Sequence, residues 1–334
     1  MASVQTQKDF QFTFEKQAAW DTQLDSTPTL MLTEDMSFSI EPNNHNIPIA
    51  RGIRGSHESD NWNDLTGVIP TATATVYMTP TMMQNLLPAL CQYSGVWAAA
   101  ANIYDIYAHD TCADFPNPKA DDDGYYYTLT RRACQASKSS YLKNAVPTNF
   151  TFKISNTDND QILVCDTEWI GQGYTRATSP TGTVTTTTLS GLHYTFGNIG
   201  VVSWGAYDLT SDFKSAEISA TNGAAYVDDL PTGPVAFNGW EVTGNFVVAA
   251  GSNTEAMKAL CESDDADNAV TFTIAFGDGT VSSAGEANIT VFGYLNSFEE
   301  NFESGETITF NFRGVFGASP ATENPLRVQF YEAS

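Results

Sequence analysis

Residues 71–91 read TATATVYMTPTMMQNLLPALC, and residues 242–263 read VTGNFVVAAGSNTEAMKALCES. In the first stretch Thr71, Thr73, Thr75 and Tyr77 alternate with Ala72, Ala74, Val76 and Met78. A period of two places each set on one face of an extended strand. Thr79 then offers an N-cap hydroxyl, and Pro80 suits the first helical position. Met82, Met83, Leu86, Leu87 and Leu90 fall on one helical stripe, while Pro88 lacks a backbone donor and predicts a kink or an end near Leu87. The second stretch repeats the order: a strand, Ser252 or Asn253 as cap, then a stripe of Ala256, Met257, Leu260 and Cys261. Ala89-Leu90-Cys91 returns as Ala259-Leu260-Cys261. Each helix is followed downstream by two alternating strands, around Phe150 to Trp169 and around Ala287 to Phe316. The same order of elements, met twice, predicts an internal repeat of about half the chain.

Alternation extends to Phe10, Phe12 and Phe14, to Met36, Phe38 and Ile40, to Phe150, Phe152 and Ile154, to Ala287, Ile289 and Val291, and to Ile308, Phe310 and Phe312. These are the marks of half-buried antiparallel strands. The expected fold class is all-β with minor α: two tandem β-sandwich or barrel domains, residues 1–195 and 196–334, each with a short flanking helix. Between them a Ser/Thr-rich stretch, 175–191, is expected to turn at Pro180-Thr181-Gly182. Residues from about 98 to 147 show no clear period and are expected to form a long inserted loop or arm. Glu299-Glu300 and Ser304-Gly305 read as turns.

The chain has 334 residues, with 15 Lys+Arg against 39 Asp+Glu, a net charge of -24. That balance excludes a binder that tracks phosphates through a basic surface. At 42% hydrophobic and 12% aromatic the chain is no disordered polyelectrolyte. It has no apolar run long enough to span a membrane, and MASVQTQKDF has no apolar signal core, so neither a membrane partner nor export is expected. No phosphate loop, dinucleotide fingerprint, GxSxG or HExxH occurs, so no catalytic residue, cofactor or metal is expected. His45, His57, His109 and His193 are scattered. Cys91, Cys112, Cys134, Cys165 and Cys261 read as reduced thiols, with Cys112 and Cys134 the one pair a hairpin could bridge. Trp20, Trp62, Trp97, Trp169, Trp204 and Trp240 read mainly as core.

The charges are segregated. Asp121, Asp122 and Asp123 precede Gly124, and from there to Thr157 the charged residues are Arg131, Arg132, Lys138, Lys143 and Lys153. Together with Asp121, Asp122 and Asp123, this basic stretch is a candidate contact arm for docking on a neighbouring subunit. Asp228, Asp229, Asp264, Asp265, Asp267, Glu299 and Glu300 are its candidate acidic partners, or wall residues of a channel. Asp264, Asp265, Asp267 and Asn268 lack the spacing of a calcium loop.

Two blocks carry a family resemblance: IPIARGIRGSHESDNWNDLTGVIPTATATVYMTPTMMQNLLPALC (47–91) and EANITVFGYLNSFEENFESGETITFNFRGVF (286–316). The first resembles the N-terminal half of tail tube (major tail) proteins of long-tailed bacteriophages and related viruses, where an "RG…G" segment leads into a strand and a short helix. The second resembles their closing strands. The resemblance implies a structural virion protein of the tail, not an enzyme, assembled in the host cytoplasm. It implies self-association into stacked rings, a lumen that DNA crosses without tight binding, and tape measure, terminator and distal tail proteins as partners. Two like domains per chain favour trimeric rings of pseudo-sixfold symmetry. The rival is a hexamer with one tube domain and an immunoglobulin-like outer domain. Outside the family, the same composition suits a two-domain immunoglobulin-like adhesin or carbohydrate-binding protein, or a β-sandwich hydrolase.

Overall fold

The structure is a computed structural model. It describes residues 10–17, 27–31, 33–48, 61–92, 96–98, 102–108, 125–133, 139–156, 161–176, 182–184, 194–226, 235–262, 269–302, 306–319 and 323–331, with backbone alone at 34–35, 40–48, 61–69, 96–98, 176 and 226. The first half holds β1 (Phe10–Lys16), β2 (Thr29–Leu30), β3 (Thr33–Pro48), β4 (Asn61–Tyr77), α1 (Pro80–Cys91), β5 (Val96–Ala98), β6 (Ile103–Tyr107), β7 (Tyr127–Ala133), β8 (Ser140–Ser155), β9 (Val164–Ile170) and β10 (Gly173–Arg176). The second holds β11 (Ile199–Trp204), β12 (Tyr207–Asp208), β13 (Phe213–Thr221), β14 (Ala224–Tyr226), β15 (Val235–Phe237), β16 (Glu241–Ala249), α2 (Ser252–Glu262), β17 (Val270–Phe276), β18 (Ala287–Asn301), β19 (Thr307–Gly314) and β20 (Arg327–Tyr331).

The halves repeat one topology. β1 pairs β2 and β7, as β11 pairs β12 and β17. β4 lies between β3 and β9, as β16 lies between β13 and β19. β8 pairs β7, β9 and β10, as β18 pairs β17, β19 and β20. α1 packs on β8 and α2 on β18.

The likeness reaches single residues. In the β3–β4 pair the register slips between Thr33 and Asp35, opposite Val76 and Thr75. In the β13–β16 pair it slips between Phe213 and Ser215, opposite Val248 and Val247. A second slip falls between Pro147 and Asn149 in β8 and between Leu295 and Ser297 in β18. Bulges bend a strand at a chosen point, and two at matching places support a common plan, while the slips at Asn43/Asn44, Tyr127/Leu129 and Ile199/Val201 belong to one half only. The match equates Ser37 with Glu217, Thr75 with Val247, Thr151 with Glu299 and Trp169 with Phe312. Beyond this common plan, the first half adds β5 and β6, and the second adds the β14–β15 hairpin.

Two seams join the halves. Asn149–Ser155 of β8 pairs antiparallel with Ser215–Thr221 of β13, and β20 pairs with β6. Arg327 fastens the second seam with two bonds to the Asp105 carboxylate, at 2.8 and 2.6 Å. One cluster of buried side chains runs from Phe12 in β1 to Phe330 in β20. Its aromatic centre in the second half is Trp204 with Phe246, Phe272 and Phe312; in the first half Trp169 meets Tyr127 and Phe150. The repeat restarts at β11, three residues beyond the expected 195/196 boundary.

Several expectations need correction. α1 does not end near Leu87 but runs through Pro88 to Cys91. Every residue from Leu86 to Cys91 is buried there, and that packing outweighs the missing donor. The α2 cap is neither Ser252 nor Asn253, since the helix starts at Ser252; Thr254 Oγ1 instead reaches back to accept from the Gly251 N–H at 2.9 Å. The tripeptide Ala-Leu-Cys sits two places earlier in α2 than in α1, so that identity is accidental although the repeat is not. The 98–147 stretch is not one irregular loop, for its described residues include β6, β7 and the start of β8, while 109–124 and 134–138 lie outside the described residues. Tyr127, Thr128, Leu129 and Thr130 are all buried, so β7 carries no alternation to read. Glu299-Glu300 lies inside β18, not in a turn.

Candidate assembly surface

Hydrogen bonding threads eight strands in the order β3-β4-β9-β8-β13-β16-β19-β18. Alternation sorts their side chains. One face buries Ala74, Phe150, Phe152, Ile218, Phe246 and Phe310 in the core. Among the described side chains the other face is mainly polar, with Tyr77, Val164, Ile170 and Val247 as its larger apolar groups, and it is bound laterally by hydroxyls and amides. Ser37 and Thr73 share a hydrogen bond of 2.7 Å. Thr151 Oγ1 donates to Ser219 Oγ at 3.2 Å, Ser219 Oγ to Asn149 Oδ1 at 3.0 Å, and Asn311 Nδ2 to Ser297 Oγ at 3.0 Å.

The charges on this face are sparse and mostly negative. Asp166, Glu168, Glu217, Glu241 and Glu299 share it with Lys153 and Arg313, by the strand registers. Lys153 Nζ lies 2.8 Å from Asp166 Oδ2, with Glu217 opposite it across the β8–β13 seam. Thr75 donates to the same carboxylate at 2.5 Å. Partial burial pulls the Asp166 carboxyl upward, but the Lys153 and Thr75 bonds outweigh it and hold it below the ordinary carboxylate range. With both partners more than a third exposed, this pair adds little to stability.

Both ends of the eight-strand run are open edges among the described residues. β3 pairs only with β4. Beyond Gly293, where β17 stops, β18 pairs on one side only, with β19. Phe302 follows directly and is 68% exposed.

Of the residues singled out from the sequence, Asp121, Asp122, Asp123, Lys138, Asp228, Asp229, Asp264, Asp265 and Asp267 lie outside the described residues, as do Cys112, Cys134 and Trp20. Arg131 and Arg132 are consecutive in β7 and therefore face opposite ways. The Arg131 guanidinium sits 4.6 Å from the Phe10 ring centre, and Arg132 Nη1 donates to the Gly182 carbonyl at 2.8 Å. Lys143 lies opposite Gly173 in the β8–β10 pair. The three thus form no single basic patch. Glu299 and Glu300 also part company: Glu299 is on the polar face, while Glu300 turns back to an ion pair with Lys258 of α2. Cys91 and Cys165 are buried free thiols whose pKa burial pushes up, and Cys261 is free as well. Trp169 and Trp204 are core residues.

Alternation alone marks Thr307, Thr309, Asn311 and Arg313 as a polar side of one strand, and Glu299, a candidate wall residue, shares their face, but the extent of the face does not follow from any one segment. Its signal is present in DTEWI (166–170) and SAEISAT (215–221), but only the register brings those segments to one surface. Among the described residues no helix is long and apolar enough to cross a membrane. No family model matches the chain, and no curated protein matches it.

Proposed function

We propose that the chain is a structural subunit of a tube, a tail tube protein whose eight-strand polar face lines a channel. Three copies would close a ring, and stacked rings would make the tube of a virion tail. The observation that carries this reading is the eight-strand run itself: two four-strand units of one topology, seamed side by side, polar on one face and open at both ends.

The dimensions agree with three copies. Twenty-four strands at ~4.8 Å spacing give a circumference of ~115 Å and a backbone diameter of ~37 Å before strand tilt widens it. Side chains of ~5 Å on each wall leave a bore of ~27 Å, which suits a double-stranded nucleic acid. Six copies would double the diameter. The chemistry also agrees. Hydroxyls and amides already bonded to one another offer few donors to phosphate, and among the described side chains five carboxylates against two bases repel it. A polyanion then slides along the wall with little hold. Arg131, Arg132 and Lys143 remain candidates for contact between stacked rings. Tape measure, terminator and distal tail proteins would be the tube's other partners.

Electron microscopy of the purified protein tests the assembly. Rings with three copies, or tubes built from them, are expected. A monomer at every concentration would overturn the reading. Glu168→Lys with Glu217→Lys tests the wall. Tubes of this variant should retain short duplex DNA at physiological salt where wild-type tubes do not; equal retention by both would overturn the channel assignment.

A further inference from the structure

Among the described residues the run leaves two edges open, that of β3 and that of the last part of β18, and the repeat relates them to an edge pair that is already closed. Inside the chain, the edge of β8 is already paired with the edge of β13. By the bulge-matched register, β18 is the second-half counterpart of β8, and β3 is the first-half counterpart of β13. The seam inside the chain therefore joins the same two kinds of edge that are left open at the ends of the run.

We propose that β18 of one copy pairs antiparallel with β3 of a second copy, in the register of the internal seam. Transferring that register gives residue-level pairs. Ser219 opposite Thr151 becomes Ser39 opposite Glu299. Glu217 opposite Lys153 becomes Ser37 opposite Asn301, and Ala216 opposite Ile154 becomes Met36 opposite Phe302. The occupant is a second copy of this chain because its β3 carries the first-half counterpart of the β13 edge that β8 already meets inside the chain.

Phe302 supplies an independent observation. It is 68% exposed, whereas Ile154 at the equivalent position of the internal seam is 3% exposed. A large exposed ring at the position where the internal seam buries a side chain is what an unfilled contact leaves behind. Phe298, equivalent to Phe150, lies on the same side and is only partly buried. Ser39 and Glu299 are both exposed and free of the core, so the polar face would continue across the joint without a break. Edges of this kind invite aggregation unless they are used, and a closed ring uses every one.

The pairing deepens the tube reading and rests on it for closure; the register rests on the repeat alone. The test is disulfide formation in Ser39→Cys with Glu299→Cys, run on non-reducing gels beside each single variant. The pair should give an intermolecular ladder ending at the ring's copy number. Ser37→Cys with Ser297→Cys, four residues out of register, should give none. Rings seen by microscopy with no ladder from the first pair, or with a stronger ladder from the second, would overturn the register while leaving the tube intact. A protein that is monomeric at all concentrations would overturn both. As a second measurement, Phe302→Asp should weaken self-association by ~10-fold or more with the circular dichroism and melting of the protomer unchanged. Undiminished association would count against the joint.

Discussion

Asn222 is wholly buried where the halves meet, just beyond β13. Its amide donates to the Leu90 carbonyl at the end of α1 at 2.9 Å and to the Pro147 carbonyl of β8 at 3.0 Å, and its oxygen accepts from the Ala224 N–H at 3.0 Å. One side chain thus answers polar groups at a helix end, at a bulge and at the start of β14. Asn222→Ala should cost about 2–3 kcal/mol, because it strands buried polar groups that water cannot reach. Urea unfolding measures it, and a loss under 0.5 kcal/mol would contradict this account. Nothing in TNGAAY around Asn222 announces such a role, since the partners are 132 and 75 residues away in sequence. Thr79 is the opposite case. Its capping of the Met82 N–H at 3.2 Å is local and could be read from T-P-T-M directly.

Elements differ in the same way. β4, β18 and β19 could be read from their periodicity because each has one face in the core and one in a polar setting, and α1 from its cap and the apolar stripe of its first two turns. β7 is buried on both sides, so it shows no period and passes for a loop. Pro88 misleads for a related reason: propensity counts one lost bond, while the buried stripe of α1 counts many contacts. Edge status is a property of elements too, and exchange of amide hydrogens should report it. At low protein concentration the amides of 149–155 and 215–221 should exchange only through global opening. The outward amides of β3 at 36–39 and of β18 at 297–300 should exchange quickly and become protected on assembly. Equal protection of both sets in the monomer would mean that the run has no open edge.

At the scale of the molecule, the two repeats are seamed by β8–β13 and β6–β20 and share one buried cluster. The chain should therefore unfold as a unit although it is built twice. Trp204→Ala removes the ring at the centre of the second-half aromatic cluster and should cost ~3–5 kcal/mol. It should lower the unfolding midpoint of the first half equally, as reported by coincidence of far-UV circular dichroism with the fluorescence of the five remaining tryptophans, four of which (Trp20, Trp62, Trp97 and Trp169) belong to the first half. Two separated transitions, with only one moved by the substitution, would show that the seams do not couple the halves. The repeats diverge in sequence because the core volume is redistributed between them. Phe14 becomes Trp204, Trp169 becomes Phe312 and Ala74 becomes Phe246 at matching sites, a trade that keeps the layers filled while erasing identity.

The amino-acid order alone determined the class of the fold, the positions of both helices and the existence of a repeat. Those follow from periodicity and capping, which act between residues a few places apart. The composition alone determined that the surface is strongly acidic. Only the tertiary structure decided which carboxylates share a face, that Arg131 and Arg132 point apart, that Glu300 is spent on Lys258, and which strand edges are left open. Each of these depends on register between strands far apart in the chain. A shift of one residue would turn every side chain to the opposite face, and no local pattern fixes that choice.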